Sequence, residues 1–175
     1  MRRSLLILIM TGLVVGLDLL WVGQWPTLRL AMNITLLWVL TVTLTNGLMA
    51  GLLVAGAAGL AWSLVAAISG PAYYLAFFAA ALVSWLFSTK VVTSRSAISF
   101  ISTIAVGTAV YFLVLIGSEA VFNFINHQRL GLPLGPLVAA VVLQLLVHPL
   151  LMTGLWRLIG RDRYAQVSSA IHRSF

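Results

Sequence analysis

The stretch LAMNITLLWVLTVTLTNGLMAGLLVAGAAGLAWSLVAAI, residues 30–68, decides how the chain is built. It is apolar throughout and about twice the roughly 20 residues that one helix needs to cross a hydrocarbon core. Its one internal turn signal is Thr45-Asn46-Gly47. The spacing predicts two helices joined by a very tight turn. Taken instead as one long helix with a re-entrant piece, the stretch would lower the helix count of the chain by one.

Outward from that stretch the next break is Ser69-Gly70-Pro71, since proline opens a helix well but cannot continue one. Six apolar segments result, at about 4–22, 30–46, 47–68, 72–89, 97–121 and 135–157, with a tail at 158–175. The expected architecture is all-α: one integral-membrane domain over 1–175, a six-transmembrane-helix bundle with both termini cytoplasmic.

Composition supports a bilayer as the solvent. The 175 residues are 62% hydrophobic and 7% charged, with mean hydropathy +1.11, whereas about a quarter of an average soluble chain is charged. The net charge of +7 does not point to nucleic acid, because the basic residues lie between or beyond the apolar runs; anionic lipid head groups are the expected partners. Without cysteine there is no disulfide or thiolate metal site. The start, MRRSLLILIMTGLVVGLDLLWVGQW, resembles a secretory signal but has no small-residue cleavage pattern, so it is read as an uncleaved first span.

A cytoplasmic N-terminus places Arg2, Arg3, Lys90, Arg95, Arg157, Arg161, Arg163 and Arg173 inside, and only Arg29 and Arg129 outside. That asymmetry is what the positive-inside rule demands. Trp21 and Trp25 fall at the outer edge of the first span, where an interfacial aromatic belt sits.

In the third span Gly47, Gly51, Ala55 and Ala58 lie within about 80° of one another around a helix. Small residues let helix backbones approach in lipid, where apolar burial gives little drive for association. The stripe serves either packing within the bundle or docking of a partner's helix. Gly12 and Gly16 repeat the spacing in the first span.

Charge at membrane depth costs roughly 2.5–3.5 kcal/mol on insertion scales, so each such group is a functional candidate. Asp162 in the tail has Arg161 and Arg163 as solvated partners. Asp18 and Glu119 fall towards the outer ends of their spans. They either snorkel or accept a proton, or pair with Arg29 and Arg129 and pin the outer face. His148 lies mid-span, four residues after Gln144, so the two share a helix face and can bond each other or a neighbouring helix. Asn33 and Thr41 are polar groups available to them, and a proton-relay or ligand role for His148 is the alternative. Pro149 removes a backbone donor and predicts a bend in the sixth span.

No phosphate loop, HExxH or GxSxG motif or His/Asp cluster is present in the sequence. Neither an enzyme, a metal site nor a cofactor is expected.

The order of features resembles the bacterial rod shape-determining protein MreD family. The shared features are the glycine-rich third span GLMAGLLVAGAAGLAWSL, the Ser69-Gly70-Pro71 turn and a fourth span ending in basic residues. A last span, LLVHPLLMTGLWRLIGRDR, then carries Pro149, Arg157, Arg161 and Arg163. The turn TLTNG, often basic in that family, and the lack of an acid near the end of the third span depart from it. The resemblance implies a non-catalytic scaffold of peptidoglycan elongation in the inner membrane. Its partner would be MreC, a single-span protein, near MreB filaments, the RodA glycosyltransferase and a class B penicillin-binding protein. A groove near Gly47, Gly51, Ala55, Ala58 and Pro149 would receive the partner's helix. That family is similar in helix count to the substrate-binding subunit of energy-coupling-factor vitamin transporters, which is the second reading. For it, Trp25, Asn123, Asn126 and His127 would line an outward pocket. The cytoplasmic end of the first span lacks the small-residue pattern associated with docking to the coupling subunit.

Overall fold

The computed structural model describes residues 2–24, 33–65, 70–91, 97–125, 139, 141–148 and 150–151. All of these elements are helical, and among the described residues there is no strand. The helices are α1 (Arg2–Gln24), α2 (Ile34–Asn46), α3 (Leu48–Val65), α4 (Gly70–Leu86), α5 (Ala97–Ile125) and α6 (141–148). A π-helical turn, Phe87–Val91, extends α4.

The stretch that decides the fold is a helical hairpin. Gly47 stands alone between α2 and α3 with φ 87° and ψ 172°, a conformation essentially restricted to glycine. Hydrogen bonding runs up to the break and resumes at once: Gly47 N–H donates to the Thr43 carbonyl and Gly51 N–H to that of Gly47, both at 3.1 Å. A single residue thus reverses the chain.

The beginning of α2 differs from the expected start at residue 30. Asn33 is the N-cap; its Oδ1 accepts from Leu36 N–H at 2.7 Å, satisfying a donor that the first turn leaves unpaired. Helix α2 therefore has 13 residues, about 20 Å. Elsewhere the expected spans are trimmed or lengthened: α1 begins two residues earlier and α5 runs four residues further. Pro71 sits in the first turn of α4, where its missing N–H costs nothing.

Helix α2 is the centre of the bundle, packed against α1, α3, α4 and α5. It is buried nearly all round, from Thr35 through Leu44 except Trp38, as an apolar helix without a polar face requires. Its threonines are satisfied locally: Thr41 Oγ1 donates to the Leu37 carbonyl and Thr43 Oγ1 to that of Val39, both at 2.7 Å. The core adds Phe77 and Ala80 of α4 and Ile104, Tyr111 and Phe112 of α5.

Around this apolar core the outer faces are apolar too, unlike the surface of a soluble domain, and a few polar side chains are enclosed. Leu5, Leu6, Leu13 and Leu20 of α1, Met49, Leu53 and Leu64 of α3, Leu75 of α4, Ile98 and Leu113 of α5, and Leu146 of α6 face outward. Asp18, Thr35, Ser84, Thr103, Thr108, Gln144 and His148 are buried. Two helices, Pro71–Val91 with 21 residues and Ile98–Phe122 with 25, are long and apolar enough to cross a membrane; Leu5–Leu20, Ile34–Asn46 and Leu48–Leu64 are apolar but shorter.

Candidate functional site

The candidate site is a set of polar side chains enclosed between helices, where each hydrogen bond lies in apolar surroundings and an unmet one is expensive. Its main part forms where α1 approaches the beginning of α2. Asp18 is fully buried, and its Oδ2 accepts from the Thr35 backbone N–H at 3.0 Å and the Thr35 hydroxyl at 2.6 Å. Thr35 is the second residue of α2, so a carboxylate from α1 caps the helix whose N-terminal partial charge favours an anion. Asn33 Nδ2 donates to the Tyr111 hydroxyl at 3.1 Å, tying the same corner to α5. The Tyr111 ring packs against Phe77 and Phe112, with centroids 4.9 and 5.4 Å away. Asp18 Oδ1 is buried and has no hydrogen-bond partner among the described residues.

Of the two expectations for an unpaired Asp18, outward snorkelling is corrected: its carboxylate points into the bundle, where the start of α2 offers it donors. The proposed pairing with Arg29 lies outside the described residues. Glu119 is on α5, its side chain is outside the description, and its proposed partner Arg129 is outside the described residues as well.

A second polar contact joins α5 and α6: His148 Nδ1 lies 3.1 Å from Thr108 Oγ1, both groups buried. Gln144, one turn before His148 on α6, is buried too. The neighbour that meets the histidine is Thr108. His148 Nε2 has no partner among the described residues. Pro149 lies outside the described residues, and its expected bend with it. A third contact joins α1 to α2: Trp38 Nε1 donates to Thr11 Oγ1 at 3.0 Å, while Thr11 Oγ1 donates to the Ile7 carbonyl at 2.7 Å.

The small-residue stripe of α3 turns inward. Ala55 and Ala58 have no exposed surface, and a β-carbon at Gly51 would fall 2.8–2.9 Å from Thr43 Cβ and Cα. Gly47 is the turn itself. These positions are occupied by packing inside the chain, which removes them as a seat for a partner in this conformation. Two further close approaches have no spacing pattern to mark them in the sequence. Gly107 lets α5 meet Leu40 of α2, with Leu40 Cδ2 2.7 Å from its would-be β-carbon, and also Ser84 of α4; Gly59 meets the Tyr74 backbone at 3.0 Å. By contrast, among the described residues outside α1 no heavy atom lies within 4 Å of a β-carbon at Gly12 or Gly16. The sequence signal for Gly107 was an isolated glycine in an apolar helix.

Chemically, the enclosed groups join helices. Asp18 faces donors rather than a nucleophile or a base, and no group of three or more His, Cys, Asp or Glu side chains that could hold a metal occurs among the described residues. Trp25, Asn126 and His127 lie outside the described residues, and the side chain of Asn123 is outside the description. No known family model matches the chain, and no match is found among curated proteins or solved structures.

Proposed function

We propose that the protein is a six-span inner-membrane scaffold of the MreD type, with both termini cytoplasmic. In this reading it binds the transmembrane helix of a single-span, MreC-like partner within the machinery that elongates peptidoglycan. The observation that carries the membrane part is the apolar outer surface: large leucines face outward on α1, α3, α4, α5 and α6, while Asp18, Gln144, His148 and several hydroxyls are enclosed. In water such a surface would aggregate; in lipid it is the low-energy arrangement. The scaffold part rests on the order of features in the sequence: the glycine-rich third span, the Ser69-Gly70-Pro71 turn, Lys90 near the end of the fourth span, and Pro149 followed by Arg157, Arg161 and Arg163 in the last.

The interior polar contacts each link two helices and leave the outer faces for lipid or a partner. With the α3 stripe used internally, the open pair Gly12 and Gly16 on α1 becomes the seat we assign to the partner's helix. RodA, a class B penicillin-binding protein and MreB filaments are the further partners of this reading. Purification in mild detergent is the test: it should bring down a single-span protein with a coiled-coil segment. A protein that comes out alone but loaded with a small ligand would instead support the vitamin-transporter subunit, a reading favoured by the enclosed carboxylate of Asp18 with its open Oδ1.

A further inference from the structure

We propose that Asp18 is a proton-binding site: in the folded bundle its side chain is a neutral carboxylic acid, protonated on Oδ1, and α1 closes on the start of α2 only in that form. The two oxygens differ sharply in their partners. Oδ2 accepts both the Thr35 N–H at 3.0 Å and the Thr35 hydroxyl at 2.6 Å, whereas Oδ1 has no partner among the described residues. A carboxylate spreads its charge over both oxygens, so the ionised form would leave part of that charge on a fully buried atom with nothing to solvate it. A proton on Oδ1 removes the charge and keeps both Thr35 bonds, with Oδ2 as the carbonyl oxygen of the acid. What remains is one hydroxyl without an acceptor, and an unmet hydroxyl costs far less than an unmet charge. The positive end of α2 favours an anion, but the N–H of Thr35 there is already bonded to Oδ2.

The surrounding helices offer no counter-charge. Helices α2 and α3, against which α1 packs, carry no ionisable side chain, and the basic residues of α1, Arg2 and Arg3, stand at its other end. Tyr111 of α5 is within electrostatic reach of Asp18, and Tyr73 of α4 within reach of Tyr111; Glu119 follows about two turns further along α5. None of these three can supply a positive charge. Loss of the proton would force Oδ1 to find water, which the closed corner excludes, so ionisation and the α1–α2 contact oppose each other. The folded form holds a proton that the solvated side chain of the unfolded chain releases, and stability therefore falls as pH rises.

The chain has only three acidic side chains, which makes the proton visible to infrared spectroscopy of the full-length protein in an ester-free detergent. A protonated carboxyl gives a C=O stretch separate from the bands of carboxylates. The expected result is such a band at neutral pH, retained in the Glu119→Gln, Asp162→Asn double variant, where Asp18 is the last acidic side chain, and lost in Asp18→Asn. Asparagine keeps an accepting oxygen for Thr35. Its unfolding equilibrium constant should therefore lose the rise of about tenfold per pH unit that release of one proton imposes on the wild type while the folded form stays protonated. Absence of the band from the double variant overturns the proposal, however Asp18→Asn folds. So does a pH slope that is the same in the wild type and Asp18→Asn. A band that appears only on Arg29→Gln would mean that Asp18 is ionised against a guanidinium, and also overturns it.

Discussion

Replacing Gly51 by alanine adds one methyl group at the tightest point of the α2–α3 hairpin. The new carbon would stand 2.8 Å from Thr43 Cβ and 2.9 Å from Thr43 Cα, and nearer still to Thr43 Oγ1. Van der Waals contact between carbons is about 3.5–4.0 Å, so the two helices must separate by close to 1 Å, with little freedom to do so one turn from Gly47. Overpacking of this kind costs about 1–3 kcal/mol. Displacing Thr43 Oγ1 from its bond to the Val39 carbonyl adds about 0.5–1.5 kcal/mol. Against these, alanine is favoured over glycine in a helix by about 1 kcal/mol. The net expectation is a loss of about 2 kcal/mol. Gly12→Ala meets no neighbour and should be neutral or stabilising by up to about 1 kcal/mol. The difference of about 3 kcal/mol is on the order of a hundredfold in the folded fraction. Unfolding of both variants by titration with a denaturing detergent reads it directly. Equal midpoints for Gly51→Ala and Gly12→Ala would refute the internal-packing account of the α3 stripe.

Gly47→Ala, forced to keep φ 87° and ψ 172°, should lose about 1–3 kcal/mol, read in the same titration. Thr108→Val should be costlier than His148→Leu. The first strands the buried imidazole, costing about 1–3 kcal/mol, whereas the second also deletes the unpartnered Nε2 and should stay within about 1 kcal/mol. A double-mutant cycle of Thr11→Ala and Trp38→Phe should give a coupling of about 0.5–1.5 kcal/mol for their 3.0 Å bond. At Gly12 and Gly16, leucine should leave the unfolding midpoint in place while reducing recovery of the single-span partner, quantified by affinity purification.

The hairpin was legible in the sequence because one local feature sets it: only Asn46-Gly47 interrupts the apolar stretch, and glycine alone tolerates that backbone. The start of α4 was legible for the same reason, proline being a local rule. The start of α2 was not. Leu30, Ala31 and Met32 are as apolar as the helix that follows, and the boundary is set by Asn33 together with Asp18, seventeen positions away from Thr35 in sequence. For Asp18, position along a span gives depth but not azimuth or neighbours. His148 was recognised as needing a partner, yet Thr108 could not be picked out, since nothing in its sequence context marks it among the threonines. Spacing found the α3 stripe, but only packing distinguishes the glycines that are filled, Gly51 and Gly107, from those left open, Gly12 and Gly16.

The central claim, a polytopic bundle in which α2 and α3 form a hairpin between opposite-facing ends, is open to a direct measurement because the chain contains no cysteine. Single cysteines placed at Asn46, Ser69 and Ser94 would be labelled with a membrane-impermeant maleimide in intact cells and in inverted vesicles. Ser69→Cys is expected to react only in intact cells, and Asn46→Cys and Ser94→Cys only in inverted vesicles. Reaction of Asn46→Cys and Ser69→Cys from the same side would contradict that claim.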